Sequence, residues 1–282
     1  MSGLTIRLQA TPGSRYGWQS GIIAPARLTQ FVGQRNMQHT QDHFSAIAPQ
    51  YALGRIGYPE NLYRFLVAQC HGQDLAWDCA TGSGQAALDL VRTFSRVIAT
   101  DISKELLALA PPHPRIFYRE VSAEESGIEP ESVDLITVAQ ALHWFDLSRF
   151  WAEALRVLKK GGVLVFWGYN WPFVGPGVDR VLEDFKSVIS SSWTERSAVL
   201  HGGYNSIRPP LEEISSPAFE ASAQWELDDY LAHLRSWSAT RYYGERTGED
   251  VTKQFQPAFA DAWRDGRVAV KWPLILRVFQ KE

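Results

Sequence analysis

The sequence has little cysteine, no long apolar run and almost no excess of charge. Its 282 residues include only two cysteines, Cys70 and Cys79, too few for a disulfide framework and without the spacing of a metal site. No stretch approaches the roughly 18 apolar residues of a membrane-spanning helix. A net charge of −3 gives no electrostatic reason to expect a nucleic-acid partner. We therefore expect a soluble, cytoplasmic protein without metal, membrane or nucleic acid.

The first 40 residues also lack acidic side chains, because the first acid is Asp42. Four arginines and scattered Gly, Ser, Thr and Gln occur there without helix or strand periodicity. This composition is typical of an organelle transit peptide, which residues 1–36 could form, but also of a disordered tail. We expect the tail, over residues 1–40, followed by one domain over residues 41–282. A hydrophobic content of 45% suits a globular core there.

A turn after the first apolar run organises the chain. The run Leu75–Cys79 is followed by Gly82 and Gly84 and then by a helical pattern that begins at Gln85. Glycine lets the backbone bend sharply and approach a ligand closely. The helix directs free N–H groups and a partial positive charge toward the turn. A strand, glycine turn and helix in this order predict a nucleotide or nucleoside ligand.

Two cofactors are compatible with this turn. Its glycines satisfy the G-x-G-x-x-A dinucleotide pattern, and Asp101 follows about 20 residues later, as that pattern requires. The stretch Asp78-x-Ala80-Thr81-Gly82-x-Gly84 resembles motif I of class I methyltransferases, which bind S-adenosylmethionine (SAM). That resemblance implies that Asp78 helps to hold the amino-acid part of the cofactor. Ala80 departs from the family's first glycine, and the turn alone leaves both cofactors open.

Further acids and small residues follow the next predicted strands. Asp101 ends the strand Arg96–Asp101, where an acid can accept both ribose hydroxyls of either cofactor, and Ile102 follows it as a further candidate of the cofactor site. Ala123 and Glu124 follow a third strand. The resemblance implies that they flank the adenine, whereas a solvated acidic loop is the alternative.

The most specific stretch follows the fourth predicted strand, Val133–Ala139. It contains Gln140 and the run Ala-Leu-His-Trp-Phe, which includes His143 and Trp144. This run resembles motif IV of the trans-aconitate methyltransferase-like group (methyltransferase type 11), and open α/β sheets bind ligands at this end of their strands. The resemblance implies that these three residues belong to the cofactor site. His143 is the one catalytic candidate, a general base, and a buried core histidine is the alternative.

A segment before the first strand resembles the same group. Phe-Ser-x-x-Ala-x-x-Tyr and Arg-x-x-Tyr-Pro place Tyr51 and Arg55 where the family's lead-in folds over the methionine end of the cofactor. Packing of both residues against the sheet is the alternative.

The C-terminal part distinguishes the two cofactors. Val268–Phe279 has β-rich composition, and class I methyltransferases end in an antiparallel strand that nicotinamide-binding Rossmann domains lack. We therefore predict an α/β fold: a Rossmann-like, mostly parallel sheet with an antiparallel C-terminal strand, helices on both faces, and helical lid insertions over residues 171–217 and 227–266.

We expect a SAM-dependent methyltransferase that acts on a small molecule, with a carboxylate as one candidate acceptor. An NAD(P)-dependent oxidoreductase and a SAM-binding protein without catalysis are the alternatives. Arg208, Arg235 and Arg241 are candidate ligands of a substrate carboxylate, with nothing in the sequence to choose among them. Trp171, Trp193 and Trp237 lie in or beside the insertions, either around a substrate pocket or as core residues. The oligomeric state is not predicted.

Overall fold

The computed structural model describes residues 56–264 and 266–282. The predicted tail over residues 1–40 and the predicted site residues Tyr51 and Arg55 lie outside the described residues.

Eight strands form the sheet around which the described residues are arranged. Their bounds are β1 Leu75–Cys79, β2 Arg96–Asp101, β3 Ile116–Glu120, β4 Val133–Ala139, β5 Leu158–Tyr169, β6 Glu212–Ile214, β7 Glu220–Trp225 and β8 Val268–Gln280. The order is β3-β2-β1-β4-β5-β8-β6, and β7 also pairs with β8. The pairs among β1 to β5 are parallel, whereas β8 runs antiparallel to β5, β6 and β7. The predicted fold class is confirmed.

Nine α-helices connect these strands in the described part of the chain. Their bounds are α1 Glu60–Gln69, α2 Gln85–Leu90, α3 Lys104–Leu107, α4 Leu147–Val157, α5 Pro176–Val188, α6 Glu195–His201, α7 Leu227–Ser236, α8 Ser238–Thr247 and α9 Val251–Ala262. A short 3₁₀ helix, Leu142–Trp144, follows β4, and another, Ser190–Ser192, follows α5. Helices lie in the connections from β1 to β2, β2 to β3 and β4 to β5, whereas a loop, residues 121–132, joins β3 to β4.

The central strands are buried on both faces because helices cover the sheet on each side. Leu75 and Trp77 of β1 point into one hydrophobic cluster, whereas Ala76 between them belongs to the cluster on the other face. This alternation follows from the two-residue period of a strand. A third cluster joins the helices after β5 to β7 and β8, with Phe185, Tyr230 and Trp272 among its buried residues.

The region after β5 contains more structure than the sequence pattern predicted. The sequence predicted a helical insertion over residues 171–217, but the strand β6 lies within it and pairs with β8. The helices α6 and α8 lie within the two predicted insertions, although no pattern predicted them individually. Both present residues to the cavity described below. Across residues 56–264 and 266–282, no helix combines the length and the apolar character that crossing a bilayer requires.

Candidate active site

The turn between β1 and α2 keeps a left-handed backbone at three alternate positions. The φ angles are 55° at Ala80, 58° at Gly82 and 80° at Gly84. Thr81 donates a backbone hydrogen bond of 2.9 Å to the carbonyl of Thr100, which fixes the turn against the end of β2. A Cβ on Gly84 would lie 2.6 Å from the Tyr118 hydroxyl oxygen, so a side chain there would have to displace the Tyr118 ring, and the positive φ favours glycine as well.

Asp78 lies beneath this turn and is only 1% exposed. Its Oδ1 accepts a 2.8 Å hydrogen bond from the Thr137 hydroxyl, and its Oδ2 accepts one from the Thr81 hydroxyl. Burial raises the pKa of this carboxyl to about 6, although both hydroxyl donors lower it. The site therefore contains an anionic group whose charge is poorly solvated, which favours a cationic ligand nearby.

Asp101 lies at the end of β2, against the same turn, and is 8% exposed. Its Oδ2 accepts a 2.8 Å hydrogen bond from the Gly82 N–H, and its Oδ1 accepts one of 2.8 Å from the Ser103 N–H. A carboxylate has about four acceptor positions, so these two bonds fix its orientation and leave acceptor positions for a ligand. Ile102 next to it is 38% exposed and offers an apolar surface.

The loop after β3 holds the predicted adenine-flanking pair. Ala123 is buried in the core cluster that contains Trp77. Glu124 is half-buried, and its Oε1 accepts a 2.9 Å hydrogen bond from the backbone N–H of Asp146. Glu124 thus links the loop after β3 to the segment after β4.

Gln140, His143 and Trp144 lie together at the carboxyl end of β4. Gln140 has a φ of 61°, and its backbone N–H donates a 2.8 Å hydrogen bond to the Trp167 carbonyl. Its Nε2 and the Nδ1 of His143 are both buried and have no hydrogen-bond partner among the described residues. Burial lowers the pKa of His143 to about 4, with smaller contributions from His201 and Arg196. His143 is therefore neutral at physiological pH and its ring is able to accept a proton.

A cavity of about 230 Å³ lies beside these residues. Its lining joins Gln85, at the start of α2, and Gln140, His143 and Trp144, after β4, to residues of α6, α7 and α8. The indoles of five tryptophans contribute to its lining: Trp144, Trp171, Trp193, Trp237 and Trp272. Trp171, Trp193 and Trp237, which the sequence placed either around a pocket or in the core, thus surround a cavity.

Three tryptophans of the cavity, Trp171, Trp193 and Trp237, contact one another, and each also contacts a histidine. Trp171 stacks on His201 with 3.9 Å between ring centroids and 11° between ring planes. Its centroid lies 5.4 Å from that of Trp193 and 5.3 Å from that of Trp237. Burial lowers the pKa of His201 to about 4, assisted by the charge of Lys186, so the stacked imidazole is neutral.

The structure also distinguishes among the three arginines that were candidate ligands of a substrate carboxylate. Arg241 lines the cavity, and its Nε is buried without a hydrogen-bond partner among the described residues. Arg208 donates to the carbonyls of Asn205 and Ile207, and Arg235 is exposed. Arg241 alone of the three is placed to meet a ligand in this cavity.

Sequence reasoning missed the contribution of His201. It lies at the end of α6, which buries only Ser197 and therefore shows little periodicity. The available signal was Thr194, whose side chain caps α6 by accepting a hydrogen bond from the Ser197 N–H.

The chemistry of the described residues fits SAM. The cofactor has a positively charged sulfur and amino group at one end and an adenosine with two ribose hydroxyls at the other. Asp78 supplies buried negative charge beneath the turn, and Asp101 is an oriented acceptor beside it. The unpartnered Nε2 of Gln140 supplies a further polar group at the same edge of the sheet.

Known proteins are similar to this chain in sequence and architecture. A family model described as a methyltransferase domain matches residues 77–166. A solved structure assigned as a type II methyltransferase of Anaeromyxobacter dehalogenans is 36% identical, with a TM-score of 0.76 over 80% of this chain and 97% of that one. A Dictyostelium discoideum protein named as a methyltransferase is 28% identical over 251 residues, or 86% of this chain and 95% of that protein.

A Saccharomyces cerevisiae protein named as a probable SAM-dependent methyltransferase is 26% identical over 149 residues, or 49% of this chain and 48% of that protein. The antiparallel β8 and these similarities decide against the nicotinamide alternative. Because the matched domain includes Asp78, Asp101 and His143, and the similarity to the Anaeromyxobacter protein spans nearly its whole length, this chain belongs to the class I SAM-dependent methyltransferases, and SAM is its cofactor.

Proposed function

We propose that this enzyme methylates a small organic molecule that carries a carboxylate, bound in the cavity beside β4. One observation supports this most directly. The cavity is lined by Gln85, Gln140 and His143 from the cofactor side and by Arg241 from the helices after β7. A guanidinium is the side chain best suited to bind a carboxylate.

We assign the cofactor contacts by the positions of the residues around the turn. Bound SAM supplies an electrophilic methyl group on a positively charged sulfur. Asp78 would hold the amino-acid part, and the carboxylate of Asp101 would accept from the ribose hydroxyls. Neighbouring residues would complete the cofactor site: Ala80, Thr81, Gly82, Gly84, Gln85, Ile102, Ala123, Glu124, Gln140 and Trp144. The roles of Tyr51 and Arg55 stay predictions on residues outside the described ones.

The residues around the cavity would act mainly by orientation and by exclusion of water. Holding two reactants in line can contribute on the order of 7–11 kcal/mol at best. The aromatic lining and the half-buried His143 favour a site with few water molecules. His143 would accept a proton from an acceptor that carries one, whereas an ionised carboxylate needs no base.

Two narrower questions depend on particular residues. Membership of the trans-aconitate methyltransferase-like group is a proposal that rests on the run Ala141–Phe145. The alternative of a SAM-binding protein without catalysis rested on Ala80, which replaces the family's first glycine. Ala80 adopts φ 55°, the conformation that a glycine would supply. The alanine therefore strains the backbone more than it changes the course of the turn, and it gives little reason to expect that activity is lost.

Calorimetry with S-adenosylhomocysteine tests the cofactor assignment. We expect micromolar binding, and we expect Asp78→Ala and Asp101→Ala each to weaken it more than tenfold, about 1.4 kcal/mol. Asp261→Ala, which removes an exposed acid of α9, is the matched control and should leave the affinity unchanged. Unchanged affinity in both site variants would discredit the assignment. Transfer of a labelled methyl group from SAM to a panel of small acids then tests the acceptor class.

A further inference from the structure

The walls of the cavity beside β4 are aromatic to an unusual degree. Five indoles contribute to its lining, and Tyr58 and Tyr169 add their rings. The two tyrosine rings stack with 5.3 Å between centroids. Aromatic side chains interact favourably with other rings beyond the burial of area, by about 0.5–1.5 kcal/mol for each pair. Such a lining favours a flat, unsaturated ligand over a saturated one of the same size.

The electrostatics of the cavity select the sign of the ligand. Among the described residues of its lining, Arg241 is the only one that carries a charge at neutral pH. The three lining histidines, His143, His201 and His233, are neutral because burial lowers the pKa of each to about 4. Aromatic cages without a cation attract quaternary ammonium groups, but a guanidinium in the wall repels them. The cavity therefore favours an anion.

Arg241 has an unused hydrogen-bond donor for an anion. Its Nε is buried and makes no hydrogen bond within the described part of the chain. Glu245, one turn further along α8, lies 3.6 Å from this nitrogen, and its side chain is 60% exposed. Such an exposed partner binds weakly, so a ligand carboxylate can compete for the guanidinium.

The size of the cavity limits the ligand further. Its volume is about 230 Å³, below the roughly 300–1,000 Å³ that is typical of sites for drug-sized ligands. A molecule with one or two rings and a short substituent fits a cavity of this volume.

We propose that the methyl acceptor is a planar aromatic acid whose carboxylate binds Arg241 and whose ring lies among the indoles of the cavity. This rests on the proposed function, because it takes the cavity to be the acceptor site. Binding of the acid nevertheless does not require turnover, so the substrate class is open to direct measurement.

Three small probes separate the two features of the ligand. Benzoate has the ring and the charge, cyclohexanecarboxylate has the charge without the flat ring, and benzamide has the ring without the charge. Ligand-observed NMR titrations, with and without S-adenosylhomocysteine, give the three dissociation constants. We expect benzoate to bind at least tenfold more tightly than benzamide and at least threefold more tightly than cyclohexanecarboxylate.

Variants then assign the charge preference to one residue. Arg241→Gln should abolish the preference for benzoate over benzamide, and Arg241→Lys should retain part of it because the charge remains but the planar fork is lost. Arg235→Gln, which removes an exposed arginine of α7, is the matched control and should retain the preference. If Arg241→Gln does not fold, the affinities of the three probes for the wild-type protein still test whether the cavity prefers an aromatic acid.

The outcomes distinguish this inference from the proposed function. Equal affinities for benzoate and benzamide, or a preference that persists in Arg241→Gln, would overturn the inference. Binding of S-adenosylhomocysteine without binding of any aromatic acid would overturn it too and leave the methyltransferase function intact. Binding of benzoate without binding of S-adenosylhomocysteine would instead contradict the proposed function.

Discussion

Oδ2 of Asp101 accepts a hydrogen bond from the backbone N–H of Gly82, and 2.8 Å separate the oxygen and the nitrogen. This bond connects the end of β2 to the turn that follows β1. The other carboxylate oxygen holds the N–H of Ser103, at the start of the next helix. Asp101 therefore fixes the turn between β1 and α2, besides the contact that we propose it makes with ribose.

The role of Asp101 in the fold is testable without any ligand. We expect Asp101→Asn to lower the free energy of unfolding by about 1–3 kcal/mol. The amide has one acceptor oxygen for two backbone donors, so one N–H of Gly82 or Ser103 loses its partner. Urea denaturation measures the change, and Asp261→Asn on the exposed surface of α9 should change stability by less than about 0.5 kcal/mol. Equal stability of the two variants would show that the backbone bonds are unimportant.

Ala80 is the position at which a glycine should improve the fold. A left-handed conformation costs an alanine about 1–2 kcal/mol, and glycine loses part of that gain through its greater freedom in the unfolded chain. We expect Ala80→Gly to raise the free energy of unfolding by about 0.5 kcal/mol, measured by urea denaturation, and to retain the affinity for S-adenosylhomocysteine within about threefold. A destabilised Ala80→Gly variant would mean that the methyl group makes contacts that outweigh the strain.

Asp78 gives the stability of the ligand-free protein a particular pH dependence. Burial raises the pKa of this carboxyl from 3.8 to about 6, so the folded state binds more protons than the unfolded state between these values. The stabilisation is present below about pH 4 and is lost as the pH rises through about 6. We expect Asp78→Asn to gain stability relative to the wild type between pH 4 and pH 8, by up to about 3 kcal/mol.

Denaturation of both proteins at several pH values measures this difference. The buried histidines titrate in the same range with the opposite sign, but their contribution cancels when the two proteins are compared at each pH. Parallel stability curves would contradict a raised pKa at Asp78. A variant that is more stable at pH 8 yet binds S-adenosylhomocysteine poorly would show that stability is lost in order to hold the cofactor.

The three histidines of the cavity should stay neutral well below their usual titration range. Burial lowers the pKa values of His143, His201 and His233 to about 4. NMR of the ring carbons, assigned with one His→Gln variant for each residue, should show no protonation between pH 8 and pH 5.5. As the pH falls through 6.5 toward 4, the unfolded chain takes up protons that these rings do not, so the histidines reduce stability there. A midpoint near 6.5 for any of them would show that its environment is hydrated.

The neutral state of His143 has a consequence for catalysis. A histidine with its ordinary pKa of about 6.5 would lose its ability to accept a proton as the pH falls to 5. His143 should retain that ability over the range from pH 5 to 8. With an acceptor that carries a proton, the rate of methyl transfer should not decline in this range through protonation of His143.

The sequence by itself determined the part of the candidate site that we propose binds the cofactor. Asp78, the two glycines of the turn and Asp101 follow from local patterns, because each lies at the end of a buried strand and the carboxyl ends of parallel strands meet at one edge. The strand bounds Arg96–Asp101 and Val133–Ala139 were predicted as the structure has them. The antiparallel β8 was predicted as well, from its composition and the resemblance together.

Only the tertiary structure decided the cavity that we propose binds the acceptor. Helix α8 buries just Ala239 and Thr240, so its sequence has little of the apolar periodicity that predicts a helix, and Arg241 was one of three equivalent candidates. The cavity forms where α6, α7 and α8 come to lie beside the residues after β4, and no local pattern encodes contacts between segments so far apart in the chain. The tryptophans that surround a cavity and those that fill a core have the same sequence signature, because both become buried by apolar contact. Their difference is the space left between them, which only the packed chain defines.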